Sequence, residues 1–358
     1  MERKLASIQK INSVEPIYHP SDGSLTSLEL IKFEDIGWQC VAKAGEFTVG
    51  DLAVYIEIST VVPEDEPAFE FLRSKKFKVK TVRLCGVLSQ GLALPMSTLF
   101  GMWPELLEID DADFEAEFLP GKDVTELIGV TRYEPPVDVR INGTGRVRTF
   151  PTDIVPKTDE ERVQSLPHIL NHFRGMNVVA TLKHDGTSAT YFWDVEQDRL
   201  RVCSRNVEKM DPDESVYWQV VKTQPDIERI CRENPMLVFQ GEITGPAIQK
   251  NRMARKQPVF TLFNVFDRED GNYIPQYYAK FLLDGYDVPW VETVYEWSEF
   301  DATIEELLEL AKGFYPGTKN PREGIVLRLL MEEKYVYVLG GRLSCKVINN
   351  DYLLNGGE

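Results

Sequence analysis

No stretch of this sequence is apolar for long enough to span a membrane. The first residues, Met1-Glu2-Arg3-Lys4-Leu5, lack the apolar centre of a secretory leader. Cysteine is scarce. Its five residues, at 40, 85, 203, 231 and 345, are scattered, and no C-x-x-C occurs. That pattern suggests neither a disulfide framework nor a thiolate zinc site, and it fits a reducing, cytoplasmic setting. The four histidines show no metal-binding spacing. Internal repeats and low-complexity tracts are not evident. Positive charge is also short: 40 Lys and Arg stand against 57 Asp and Glu, a net charge of −17. Taken alone, that balance argues against a nucleic-acid partner.

A hydrophobic content of 43% and a charged content of 27% describe a globular chain. Its 358 residues suffice for two or three domains with real cores. The charge is unevenly spread. Residues 101 to 134 hold ten acids against Lys122 and Arg132, a local charge of −8. Arg73, Lys75, Lys76, Lys78, Lys80 and Arg83 run with no acid between them, and Lys250, Arg252, Arg255 and Lys256 form a second basic cluster. Local patches rather than net charge decide phosphate binding.

Residues 1 to about 100 read as short strands with turn signals, which suggests a small OB-like barrel. Leu52, Val54, Ile56 and Ile58 alternate with Ala53, Tyr55 and Glu57. Lys76, Lys78 and Lys80 alternate with Phe77 and Val79, so a strand would put three lysines on one nucleic-acid-facing side. The acidic stretch reads as a connector. The Gly- and Pro-broken residues 136–157 read as an interdomain linker. Thr158-Asp159-Glu160-Glu161 has the form of a capping box and predicts a helix through Val163. A further helix is expected over about 213 to 232. Ile304, Leu307, Leu308 and Ala311 also recur at helical spacing, with Gly313 as a stop.

The stretch Lys183-His184-Asp185-Gly186 lies between the apolar runs Val178–Leu182 and Thr187–Trp193. It reads as a tight turn joining two strands, with a lysine at a strand end. A free lysine has a pKa of about 10.4 and is a nucleophile only when deprotonated. Transfer of a nucleotide through such an amine needs a divalent cation where charge builds on phosphate oxygens. Asp185, Glu242 and Glu323 offer hard oxygen ligands at strand ends. Lys346 offers fixed positive charge for the α-phosphate, and Arg205 a forked donor for sugar and phosphate. Phe266 or Phe263 offers an aromatic face for the base.

In that order these stretches resemble the covalent nucleotidyltransferase superfamily of ATP-dependent ligases and mRNA capping enzymes. Lys183-His184-Asp185-Gly186 looks like its nucleotidyl-lysine motif. Ser204-Arg205-Asn206, Gly241-Glu242, Phe263–Asp267, Glu323–Val326 and Cys345–Ile348 resemble the later motifs. DNA ligases and capping enzymes carry an OB domain after the last motif, but only twelve residues follow Lys346 here. A barrel-like module placed first is similar to the fifth family of RNA ligases. Residues 78–95, 121–136 and 157–164 resemble that family too. In two places the sequence departs from second-family RNA ligases. Ser188 stands where many have Asn, and Ser344 replaces the first lysine of K-x-K, so no role carries over to those positions.

The resemblance implies an α+β chain with three parts: an OB-like module with its acidic connector (1–135), a linker (136–157) and an adenylyltransferase domain (158–358). The second domain would consist of antiparallel sheets with flanking helices. It implies an ATP-dependent RNA ligase using Mg²⁺ or Mn²⁺, acting as a monomer on nicked duplexes with an RNA 3′-OH strand. Lys183 and Lys346 would be catalytic. Lys183, Arg205, Glu242, Phe266 and Lys346 would bind the nucleotide. Asp185, Glu242 and Glu323 would bind the metal, and Lys76, Lys78 and Lys80 the nucleic acid. The alternatives are a DNA-joining or RNA-capping relative and, farther off, a non-catalytic nucleic-acid-binding protein.

Overall fold

The structure, a computed structural model, describes residues 4–108, 117–133, 145–210, 212 and 214–356. The chain forms two compact units. One holds Met1–Pro135, Val163–Pro167 and Leu353–Glu358; the other holds Pro136–Arg162 and His168–Tyr352.

The first unit is organised by the long strand Ala6–Tyr18. Its early residues pair with Leu52–Ile56 and its later ones with Leu25–Phe33, both antiparallel. One strand thus bends through a five-stranded, curled sheet, and register shifts after Ile11 and Pro16 mark the bends. This is the expected OB-like half-barrel. Ile8, Val54, Ile56, Phe69 and Val79 fill its interior. The stretch read as an acidic connector contributes to that interior as well. Phe118, Val124, Ile128 and Val130 are buried in the same cluster. Val163–Pro167 joins this unit through Trp38 Nε1 to Ser165 Oγ (3.3 Å) and Gly37 N to Gln164 O (2.7 Å).

The three-lysine strand face needs correction. Lys76 (φ 55°) ends the 3₁₀ helix Pro67–Lys75 in the left-handed region, and Phe77 follows at φ 56°. Only Lys78–Val79 is strand. Phe77 and Val79 point inward as expected. Lys78 lies with its Nζ 3.3 Å from the centre of the Tyr133 ring, Lys80 is half-buried and Lys76 is exposed.

The second unit has a seven-stranded and a five-stranded sheet. The seven-stranded sheet is antiparallel, and one face is covered by two helices, Val216–Thr223 and Asp226–Glu233. They replace the single helix expected over 213–232, because Pro225 lacks the N–H that would continue the first. In the five-stranded sheet Val178–Lys183, Gly324–Leu329 and Ser344–Ile348 are neighbours. Helix Ile304–Ala311 is closed at its start by a Thr303/Glu306 capping box.

Two further expectations give way. No helix follows Thr158: Glu161–Arg162 is a short strand parallel to Ser344–Ile348, and the Glu160 carboxylate pairs with Arg328 at 3.0 Å. The expected box would close on Glu161, three residues after Thr158, but Glu161 pairs with Cys345 as part of that strand. Residues 136–144 of the expected linker lie outside the described residues. Beyond them Val147–Thr149 pairs with Val207–Lys209 as the edge of the seven-stranded sheet. No helix among the described residues is long and apolar enough to cross a membrane.

Candidate active site

The Lys183–Gly186 turn is not a hairpin. Lys183 pairs with Gly324 in the five-stranded sheet, whereas Thr187 pairs with Ile243 in the seven-stranded sheet. The chain crosses from one sheet to the other within three residues, and the nucleophile candidate stands at the crossing. Gly186 makes the crossing possible. A Cβ there would sit 2.3 Å from Ile243 O and 2.8 Å from Glu242 Cγ, so only glycine lets the turn pass so close.

Cross-strand partners share a face of the sheet. Lys183 is opposite Gly324, while Thr181, Val326 and Lys346 form the next same-facing row. Lys183 and Lys346 therefore project from one face of this sheet, and Lys346 is half-buried. In the other sheet Ser188 is opposite Glu242, which is opposite Thr261.

Lys183 Nζ lies 3.0 Å from Glu323 Oε1, with both side chains mostly buried. Burial pulls the lysine pKa down, but Glu323, Glu242 and Asp185 pull it up, and the carboxylates win. The amine is thus held as ammonium in the protein alone. Burial pushes the Glu242 carboxyl up to about 8, against the pull of Lys183 and with the push of Glu323 and Asp185. Three acids around one amine form a donor set short of positive charge, and a hard divalent cation fits it. The set is not a finished cage. Among the described residues no group of three or more His, Cys, Asp or Glu stands ready to hold a metal.

Asp185 explains why. Its Oδ2 pairs with Arg252 Nη1 at 2.7 Å and its Oδ1 accepts from Tyr352 OH at 2.8 Å. Both oxygens are committed, so in this arrangement Asp185 buttresses the turn, and Glu242 and the Lys183-paired Glu323 are the carboxylates left near the amine. Arg205 pairs with Asp159 at 2.5 Å, and both are largely exposed. Phe266 enters as a core side chain, not as an open platform. It packs with Phe150, Val155, Phe192, Cys203 and Val238, and its ring meets Tyr273 edge-on. Phe263 is the less enclosed ring, half-buried against Leu182, Met253 and Tyr315.

Several supporting residues carry no sequence motif. Tyr315 OH donates to Lys183 O (2.9 Å) and accepts from Glu323 N (3.1 Å), fixing the two residues together. His184 Nε2 lies 2.6 Å from Glu292 Oε2. Arg252 belonged to a visible basic cluster, but its partner Asp185 lies 67 residues earlier, and no local signal joins them.

Gly324, beside Glu323, has φ +150° and leaves a Cβ position only 2.0 Å from Val347 O. Gly324→Ala should destabilise the fold by about 1–3 kcal/mol. A melting temperature several degrees lower, with weakened adenylylation, is the expected result. An unchanged melt would mean that the strand relaxes freely.

Two enclosed acids and one amine thus stand together where two sheets meet, in a chain that also carries an OB-fold unit. The comparisons agree. An OB-fold domain family matches residues 5–96 and the RNA ligase family matches residues 176–348. No curated protein sequence matches the chain. Among solved structures, Naegleria gruberi RNA ligase with PPi is 32% identical over 99% of each chain, TM-score 0.81. A glutamate-to-alanine mutant of that ligase with AMP and Mn is 31% identical over 99% of each, TM-score 0.81. Another, with ATP and Mn, is 31% identical over 99% of this chain and 100% of that one, TM-score 0.81. The chain belongs to the RNA ligase family, and it is an ATP-dependent RNA ligase with its OB-fold unit first, as the motif order implied.

Proposed function

We propose that this ligase seals 3′-OH/5′-phosphate nicks whose 3′-OH strand is RNA, with Lys183 carrying AMP. The Lys183 amine loses its proton and attacks the α-phosphorus of ATP; an N–P bond forms and pyrophosphate leaves. A 5′-phosphate oxygen of the nucleic acid then takes the AMP, breaking that N–P bond. Finally the RNA 3′-OH attacks the activated 5′-phosphate and AMP departs. Making AMP the leaving group divides one hard displacement into easier ones.

The observation that carries this reading is Lys183 at 3.0 Å from Glu323, with Glu242 drawn into the same field. Glu242 and Glu323 would hold a divalent cation together with the phosphates of ATP, and that cation would offset charge on the phosphate oxygens. Its arrival would also release Lys183 from the carboxylates that keep it protonated. Lys346, on the same sheet face as Lys183, supplies charge toward the α-phosphate, and Arg205 supplies a fork for sugar or phosphate. The five free cysteines, four of them buried, suit a reducing compartment. The test is incubation with α-labelled ATP or GTP and Mg²⁺ or Mn²⁺, followed by nicks with RNA or DNA on each side. Labelling by GTP alone, or sealing of DNA 3′-OH nicks as fast as RNA ones, would reject it.

In the first unit the corrected basic surface still offers Lys78 and Lys80 to a phosphate backbone, with Lys76 nearby. Backbone contacts position a substrate without reading its sequence. Lys76→Ala/Lys78→Ala/Lys80→Ala should leave adenylylation intact and weaken nick binding. The log-affinity slope against log salt should flatten by roughly one unit per lost contact. An unaltered slope would remove these lysines from the substrate path.

A further inference from the structure

The Tyr315 hydroxyl stands where the nucleophile's strand and the strand that follows Glu323 part. Lys183 is the last residue of Val178–Lys183, and Glu323 immediately precedes Gly324–Leu329. The two strands pair as far as Lys183 and Gly324, and beyond that rung the chain leaves for the other sheet. Backbone groups at such an end have lost their ladder partners and need others. The hydroxyl serves two of them at once. It gives its proton to the Lys183 carbonyl at 2.9 Å and takes the Glu323 N–H at 3.1 Å. On its other side Glu323 is held through its carbonyl, which accepts from Asn349 N at 2.9 Å.

The phenol is itself fixed. Tyr315 is 1% exposed and packs with Leu182, Met253 and Val291. Its backbone closes a loop between helix Ile304–Ala311 and strand Gly324–Leu329. Tyr315 N donates to Asn320 O at 3.1 Å, and Tyr315 O accepts from Thr318 N and Thr318 Oγ1, each at 3.0 Å. Asn320 Nδ2 donates to Arg252 O at 2.8 Å, and Arg252 in turn holds Asp185. The two residues whose backbones the hydroxyl bridges are the same two whose side chains meet at 3.0 Å. Hydroxyl and ion pair thus close a ring through Lys183 and Glu323. The ion pair must open when the amine turns toward a phosphorus atom, whereas the hydroxyl bridge need not.

We propose that Tyr315 is a positioning residue for adenylyl transfer: its hydroxyl keeps Lys183 and Glu323 at a set spacing while their ion pair opens. The proposal rests on the lysyl-adenylate reading above. Tyr315 acts through the two residues it bridges and not on ATP. A fixed spacing favours attack because the reacting geometry is not assembled anew at each encounter.

The test uses the full chain with two variants. Tyr315→Phe keeps the ring and removes the hydroxyl. Thr318→Val removes the Thr318 hydrogen bonds to Tyr315 O and from Asn320 N but leaves the bridge in place. With α-labelled ATP and Mn²⁺, the maximal rate of lysyl-adenylate formation in Tyr315→Phe should fall about tenfold, with KM for ATP within about twofold of the unaltered protein's. Sealing of a pre-adenylylated nick, in which Lys183 makes no attack, should fall far less. Thr318→Val should match the unaltered protein in both reactions. An unchanged rate in Tyr315→Phe overturns the proposal. So does an equal loss in both reactions, or an equal loss in Thr318→Val, since either would leave the hydroxyl a structural role alone. Failure of Tyr315→Phe to melt cooperatively overturns it too, because the hydroxyl would then serve the fold. Absence of label on the unaltered protein would sink the lysyl-adenylate reading and the proposal with it. Label there, with an undiminished Tyr315→Phe, sinks the proposal alone.

Discussion

Lys183→Ala should abolish the covalent adenylate. No other amine shares the position at which the chain leaves one sheet for the other, 3.0 Å from Glu323. Denaturing gels after incubation with α-labelled ATP should show label on the parent protein and only background on the variant. The substitution shortens a side chain that is about a quarter exposed and leaves the ladder with Gly324 in place, so the fold should survive. A pre-adenylylated nick bypasses the first step. The variant should therefore retain some sealing of that substrate while failing with ATP. Substantial label on Lys183→Ala would move the nucleophile elsewhere. Loss of both reactions, in a protein that melts normally, would mean that the lysine also serves the final displacement.

How legible was this site in the sequence? The candidate residues were legible because each adjoins or interrupts an apolar run, and apolar runs are what a sequence displays most openly. The order of Lys183, Glu242, Glu323 and Lys346 along the chain then carried the resemblance. The path between the runs was not legible. Asp-Gly between two β-branched stretches reads as a hairpin, yet Lys183 and Thr187 pair with strands 141 and 56 residues away. Local patterning records that a strand ends but not which sheet the next one enters. Glu160 shows the same limit. It lies in a stretch, Thr158 to Glu161, whose spacing reads as a capping box, but Glu161–Arg162 is drawn into a strand beside Cys345 and Lys346, distant in sequence, and Glu160 pairs with Arg328. Asp185 was seen as a hard ligand, and nothing nearby announced Arg252 and Tyr352, which occupy both its oxygens. Alternation likewise placed Phe77 and Val79 inside but could not foresee the left-handed turn that takes Lys76 out of line.

Glu242→Ala and Glu323→Ala should each reduce adenylylation on the order of a hundredfold or more, since a metal-catalytic role carries several kcal/mol of transition-state stabilisation. Asp185→Asn should act differently. It keeps one side-chain oxygen at the turn but removes the charge that holds Arg252, so its effect should fall on stability as well as on rate. The pH behaviour follows from Glu242. Its carboxyl sits at about 8 in the metal-free fold, raised by burial and by Glu323 and Asp185, against about 4.3 in an unfolded chain. Between those values the folded state keeps a proton that the unfolded state has lost, so metal-free stability falls as pH rises through this window. A cation needs the carboxylate and competes with that proton. Apparent Mn²⁺ affinity should therefore climb by up to about tenfold per pH unit below 8 and level off above it. Calorimetric titrations at pH 6, 7, 8 and 9 would show this, with proton release that shrinks toward the plateau. In Glu242→Gln both the climb and the release should diminish, while binding itself weakens. A flat profile in the parent protein would mean that Glu242 is already ionised, and that the protonated carboxyl and the cation do not compete for one site.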